Sequence, residues 1–407
     1  MREVNGQLFI ENIPAINLVR EYGSPCFIYS ANEIKNNFLK YKDEIRNEDV
    51  ICYAVKANSN LHILRLLAEL GSGFDVVSGN ELERCLIAGA DKNKIVFSGV
   101  SKSYEEIEKA IKSEILSINV ESLGEFERVA EISKRLNKKV NCALRVNPDI
   151  TIGSHKYIET GSKTSKFGLD GKSIDKISKL SQEYKLINII AVACHIGSQI
   201  SNESLILKSL ECIKDVASKL EQDGHNIDFL DIGGGLGISY KDEDAGDPKI
   251  LLTKVKGILE GADYKIILEP GRSIVGTSGI LVTKIEYIKD AGDKRFAIID
   301  AGMNDLIRPS LYEAWHRVKE LEEKDLVKEN YDLAGPVCET GDVLARDREL
   351  RISTGDYVAF MDVGAYGSVM SSNYNSRLKP IELLVTDDKV KVIKRKESFE
   401  DMIALES

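Results

Sequence analysis

Lys56 closes the apolar run Ile51-Cys52-Tyr53-Ala54-Val55, in the segment Tyr53-Ala54-Val55-Lys56-Ala57-Asn58-Ser59-Asn60. A run of that length and texture reads as a buried strand. Burial disfavours an ammonium, and a neutral amine is the form that condenses with an aldehyde. A second chemical segment is Asp231-Ile232-Gly233-Gly234-Gly235-Leu236-Gly237. Successive glycines let backbone N–H groups close on an anion such as a phosphate. The stretch fails as a dinucleotide fingerprint, because Ile238 stands where the last glycine belongs. Glu269-Pro270-Gly271-Arg272 joins a carboxylate to a planar guanidinium suited to phosphate or carboxylate. Ala193-Cys194-His195-Ile196-Gly197-Ser198-Gln199 offers an imidazole and a hydroxyl. Gly335-Pro336-Val337-Cys338-Glu339-Thr340-Gly341-Asp342 sets a thiol among charged and turn residues, where it can protonate a carbanion. Met303-Asn304-Asp305-Leu306-Ile307-Arg308-Pro309-Ser310-Leu311-Tyr312 brings a guanidinium and a phenol together. Singly, each has an ordinary reading: a surface lysine, a tight turn, a strand-end acid, a core histidine, a small buried thiol.

The elements that must position these groups argue otherwise. Eight short apolar runs lie between residues 50 and 271: Val50–Val55, Gly73–Val77, Lys94–Ser98, Ile115–Val120, Val140–Val146, Ile189–Ile196, Ile227–Ile232 and Tyr264–Glu269. Helical patterns separate them. Three helices are expected to open with Ser-x-x-Glu capping boxes, at Ser78/Glu81, Ser103/Glu106 and Ser122/Glu125. Eight strand–helix alternations imply parallel strands with crossover helices, the count that closes a (β/α)8, TIM-type barrel. The reactive side chains fall at the C-terminal ends of these runs, where such barrels gather their chemistry. Lys56 follows the first run, Asp75 and Ser78 sit around the second, and Arg145 ends the fifth. His195 follows the sixth, the glycines the seventh, and Glu269 ends the eighth. Barrels also bind phosphate after strands seven and eight.

After Arg272 the texture becomes β: Ile280–Ile288, Phe296–Ile299, Tyr357–Met361, Ile381–Val385 and Val390–Lys394 read as strands, the last two joined by a hairpin turn at Thr386-Asp387-Asp388-Lys389. The expected fold is α/β plus β, a barrel followed by a C-terminal β-domain. Gln7–Ile10 and Cys26–Tyr29 near the N-terminus are strand-like as well.

Composition sets wider bounds. The 407 residues suffice for two or three domains, with ordinary hydrophobic and charged fractions of 43% and 29%. A net charge of -10 argues against nucleic acid and anionic membranes as partners. There is no apolar signal core after Met1 and no apolar stretch long enough to span a bilayer. Seven cysteines without a C-x-x-C pair suggest neither a disulfide framework nor a zinc site. Cys52, Cys142 and Cys194 lie in strand-like runs and read as core. A reducing cytoplasm fits, and no metal is expected.

The segments quoted above resemble, almost end to end, the fold-type III pyridoxal-phosphate decarboxylases of the alanine racemase-like barrel family, and within them the diaminopimelate decarboxylases. The resemblance implies domains at 1–31 (strands joining the β-domain), 32–275 (the cofactor-binding barrel) and 276–407 (the β-domain). It implies pyridoxal 5'-phosphate on Lys56, with Asp75, His195, Ser198, Gly234, Gly235, Glu269, Pro270, Gly271, Arg272 and Tyr366 as cofactor contacts; Tyr366 lies in Gly364-Ala365-Tyr366-Gly367. His195 stacks on the cofactor ring, Glu269 keeps its nitrogen protonated, and Cys338 is the proton donor. Arg272, Arg308, Tyr312, Glu339 and Tyr366 bind substrate, with Cys338 and Glu339 supplied across a homodimer interface. The implied reaction turns meso-diaminopimelate into L-lysine and carbon dioxide, the last step of lysine biosynthesis, catalysed by a cytoplasmic carboxy-lyase. Arg308 suits a second, distal carboxylate, whereas simple diamino acids would want an acid there. The other readings on this scaffold are an ornithine, arginine or carboxynorspermidine decarboxylase, an amino-acid racemase, or a non-catalytic homologue. His62, His225 and His316 read as structural. His155, in the loop 152–168, has no assigned role. Leu378 and Lys379 depart from the family's usual Pro-Arg.

Overall fold

The structure, a computed structural model, describes residues 1–150, 160–161 and 166–406. His155 lies outside them, as do parts of the 152–168 loop. The chain divides into two compact units. One holds Asn37–Ile238 and Asp244–Ser273; the other holds Met1–Asn36, Ser239–Glu243 and Ile274–Ser407.

In the first unit the apolar runs become Val50–Ala54, Gly73–Val76, Ile95–Phe97, Ser117–Val120, Val140–Arg145, Ile187–Ala193, Phe229–Asp231 and Lys265–Leu268. Neighbours pair in parallel, and the last pairs back onto the first, so the sheet closes into the expected barrel. The strands are nearly unbroken apolar runs because a barrel strand is covered on both faces. Cys52, Val96, Ala143, Ala191, Ala193, Phe229 and Ile267 form one packed cluster of small and large side chains. Cys52, Cys142 and Cys194 are buried, and burial pushes the Cys142 and Cys194 thiols up to about 12. They are inert core.

Of the three expected capping boxes, only Ser103/Glu106 is reciprocal. Ser78 and Ser122 accept from the Glu81 and Glu125 N–H groups as expected. However, Glu81 accepts from Val77 N–H and Glu125 from Glu121 N–H, one residue ahead of the cap. Each of these two glutamates thus ties down the strand-to-helix loop rather than the cap itself.

The second unit is built on a nine-stranded sheet. Its main path runs Val343–Leu350, Glu329–Ala334, Lys294–Ile299, Gly279–Ala291, Cys26–Ser30, Ile381–Thr386 and Lys389–Lys394. Tyr357–Phe360 branches from Gly279–Ala291 and carries Val318–Glu320. Asp387, at φ +54, turns the last hairpin, whose ends Thr386 and Lys389 pair. Gln7–Ile10 lies in a separate three-stranded sheet, and Leu8 and Ile10 share one core with Ile28, Ile280 and Leu383.

Candidate active site

The C-terminal rim of the barrel brings the first group together. The first strand stops at Ala54, so Lys56 sits in a single 3-10 turn, Val55–Ala57, rather than on the strand. The turn packs on the end of the eighth strand. Ala54 N–H donates to Pro270 O at 3.1 Å, and a Cβ on Gly271 would press within 3.0 Å of the Ala54 and Ala57 methyls. Lys56 Nζ forms an ion pair with Asp75 Oδ2; the lysine side chain is 33% exposed and the aspartate fully buried. The expectation from sequence was burial favouring a neutral amine. The structure instead leaves the side chain partly exposed and sets a buried carboxylate at its nitrogen, placed to receive the proton the amine must lose.

The glycine loop packs against the loop that follows the sixth strand. Ile200 N–H donates to Gly235 O at 2.8 Å, and Gly237 N–H donates to Ile200 O at 3.0 Å. Gly233 and Gly235 hold φ of +67 and +105, and a Cβ on Gly234 would collide with the Glu269 carbonyl oxygen. The loop therefore needs glycine for both conformation and close approach. Gly234 N–H reaches His195 Nδ1 at 3.3 Å. Burial, then the nearby Arg145 and Lys56 cations, hold the imidazole well below its usual range, so it is neutral. Arg272 donates from Nη2 to Ser198 Oγ at 3.1 Å. Gly234, His195 and Ser198 thus lie in adjoining loops, and Arg272, which opens the short helix Arg272–Val275, reaches Ser198.

Glu269 is buried at the end of the eighth strand. Burial, then the Asp231 and Asp75 carboxylates, push its carboxyl well above the usual range. Asp231 is raised too, chiefly by burial. Asp231, which sequence reasoning did not single out for a role, accepts from Gly233 N–H at 2.9 Å and from Asn119 Nδ2 at 3.4 Å. Asn119 donates to Ser98 Oγ at 3.1 Å, and Ser98 donates to Glu269 Oε1 at 3.4 Å. Three polar positions, Ser98 just past the third strand, Asn119 on the fourth and Asp231 on the seventh, form a network with Glu269. The available signal was a polar residue inside or ending a run otherwise apolar.

The second unit carries the other group. Cys338 and Glu339 are exposed; Cys338 N–H donates to Asn375 Oδ1 at 2.9 Å, and Tyr374 OH donates to Glu339 Oε1. Asp342, almost fully buried, accepts from Val337 N–H at 2.7 Å and from Met303 N–H at 2.6 Å. Arg308 is 5% exposed and opens the short helix Arg308–Tyr312, with Tyr312 half-buried behind it. Its Nη1 meets His316 Nε2 at 2.9 Å, and its guanidinium lies 4.7 Å from the centre of the Tyr240 ring. Tyr366 is half-buried at φ +56, in a turn where a Cβ on Gly364 would collide with the Val275 carbonyl oxygen.

Among the described residues no helix is long and apolar enough to cross a membrane. Residues 31–276 match the family model described as "Pyridoxal-dependent decarboxylase, pyridoxal binding domain". The diaminopimelate decarboxylase of Aquifex aeolicus is 45% identical over 401 residues, 98% of this chain and 95% of that protein. The crystal structure of diaminopimelate decarboxylase from Helicobacter pylori complexed with L-lysine superposes with a TM-score of 0.93 at 41% identity, covering 96% of this chain and 99% of that one. The M. jannaschii enzyme in co-complex with L-lysine gives a TM-score of 0.93 at 39% identity, covering 98% and 96%.

Proposed function

We propose, on the premise that the chain belongs to the pyridoxal-dependent decarboxylases and within them to the diaminopimelate decarboxylases, that it removes one carboxyl group of meso-diaminopimelate as carbon dioxide and leaves L-lysine, closing lysine biosynthesis. The observation that carries this reading is the barrel rim. An ion-paired lysine, a glycine loop beside a neutral imidazole, and a buried acid whose carboxyl is pushed above its usual range converge there.

These residues fit pyridoxal phosphate. The Gly233–Gly235 cradle excludes side chains. Asp75, Asp231 and Glu269 form a buried acidic cluster suited to a protonated ring nitrogen, and Asp75 Oδ1 is buried with no hydrogen-bond partner among the described residues. When bound, the cofactor supplies the sink for the electron pair released with carbon dioxide. Lys56 Nζ would hold it, with Asp75 Oδ2 placed to take the proton that leaves Nζ. Glu269 would be the acid for the ring nitrogen, where a positive charge would favour its carboxylate form. His195, a neutral imidazole, would be the ring contact and add no competing charge. Gly234, Gly235, Ser198 and Arg272 would hold the phosphate, with Pro270 and Gly271 fixing Arg272 beside the Lys56 turn and Tyr366 as a further contact. Arg308, Tyr312, Glu339, Arg272 and Tyr366 hold the substrate, and Cys338 Sγ returns a proton to the carbon that lost the carboxyl group. The working setting is the cytoplasm. The test is lysine release from meso-diaminopimelate beside ornithine, arginine and L,L-diaminopimelate. Release of lysine from the meso compound alone is expected, and preference for ornithine or arginine overturns the reading.

The proposed assembly is a homodimer in which one copy's Cys338 and Glu339 complete the other's barrel site. Cys338 and Glu339 are exposed on their own unit, as groups offered to a partner must be. Mixing inactive Lys56→Ala with inactive Cys338→Ala subunits is expected to restore up to about one quarter of wild-type activity, since statistical hybrids carry one intact site. Demonstrated subunit exchange without recovery counts against sharing.

A further inference from the structure

His316 is fully buried, and its two ring nitrogens have different partners. Nδ1 lies 2.8 Å from the carbonyl oxygen of Met361. A carbonyl only accepts, so Nδ1 must carry the proton. Nε2 then presents its lone pair, and the group 2.9 Å away is Arg308 Nη1, which only donates. The Met361 carbonyl thus selects the one tautomer that can receive the guanidinium. Tyr240 completes the arrangement. Its ring lies 4.7 Å from the Arg308 guanidinium carbon and meets the His316 ring edge-on, 84° between planes and 5.3 Å between centres. The guanidinium is gripped at one end by a lone pair and on one face by an aromatic ring.

We propose that His316 is a positioning residue for substrate choice: a neutral imidazole, set by the Met361 carbonyl, that fixes the Arg308 guanidinium in the orientation that receives the substrate's distal carboxylate. This rests on Arg308 being the distal-carboxylate group. A long arginine held in one rotamer loses little further freedom when substrate arrives, so the interaction goes into affinity. A neutral partner suits the task better than an acid. Glutamate or aspartate at 316 would neutralise the cation and compete with the incoming carboxylate; imidazole orients it and leaves its charge available.

The experiment is steady-state kinetics on the cofactor-loaded enzyme for His316→Phe, His316→Gln, Arg308→Ala and the double variant His316→Phe/Arg308→Ala, with cofactor absorbance and melting temperature recorded for each. Phenylalanine keeps the ring and removes the acceptor; glutamine returns a carbonyl oxygen near the Nε2 position. His316→Phe is expected to raise KM for meso-diaminopimelate about tenfold with kcat changed less than about twofold, as loss of uniform binding requires. His316→Gln is expected to recover most of it, and His316→Phe to add little in the Arg308→Ala background. Unchanged KM in folded His316→Phe, a loss carried by kcat, or full additivity with Arg308→Ala overturns the inference and leaves His316 a core residue. Wild-type efficiency in Arg308→Ala would instead remove the substrate reading, and the inference with it. His316→Leu carries the same comparison should phenylalanine not fold.

Discussion

Lys56→Ala is expected to lower lysine release from meso-diaminopimelate by about ten-thousandfold or more, the loss of both a covalent attachment point and a positioned proton-transfer group. The cofactor should still bind, because the glycine loop, Ser198 and Arg272 do not depend on the lysine. Borohydride treatment of loaded wild type should fix the cofactor on the peptide containing Lys56, and in the variant it should fix none. Asp75 is fully buried and loses its cation in the variant. A melting temperature lower by a few degrees is therefore expected, about 1–3 kcal/mol once the partial exposure of Lys56 is allowed for. Capture on another lysine, or turnover within tenfold of wild type, would remove the assignment.

Arg308→Ala is expected to reduce kcat/KM for meso-diaminopimelate roughly thirtyfold or more, about 2 kcal/mol or more of transition-state binding. The substrate's distal carboxylate would then enter the site without the Arg308 cation to meet it. Cofactor absorbance should stay that of wild type. Ornithine should remain a poor substrate, since deleting a cation provides no anion for a distal amine. Near-native efficiency on meso-diaminopimelate, or a preference of wild type for ornithine, would leave only the general decarboxylase reading.

Much of the barrel could be read before the structure, because its strands are apolar on both faces and its helices announce themselves with serine caps. The second unit was less legible. Val318–Glu320, Glu329–Ala334 and Val343–Leu350 were not anticipated. Val343–Leu350 contains Arg346-Asp347-Arg348-Glu349, and its pairing with Glu329–Ala334 slips in register twice, with Asp347 at φ +53. A bulged strand loses the period-two alternation on which a sequence reading depends. At the site, residues in distinctive motifs stood out, and the hydrogen-bond partners behind them did not. Asp231 was visible only as the residue before the glycines. His316 read as structural, and its contacts with Arg308 and the Met361 carbonyl could not be seen before folding. Lys56 shows a similar limit. The strand was legible, but Asp75 lies 19 residues on, and only folding shows that it meets the amine.

Asp342 has a consequence for how this protein can change over generations. One of its oxygens receives the Met303 amide and the other the Val337 amide, so a single carboxylate ties the start of the Arg308 segment to the loop bearing Cys338. A side chain on Gly335 would press into that carboxylate, and one on Gly302 would meet the Asn304 side chain first and the carboxylate next. The Cys338 loop and the Arg308 segment, to which the proposed function gives the acid and the distal-carboxylate contact, are therefore mechanically linked. Substitutions in one will show epistasis with substitutions in the other, even where the two side chains never touch. On the proposed roles, a lineage drifting toward a different amino acid would have to carry the Cys338 loop along through residue 342.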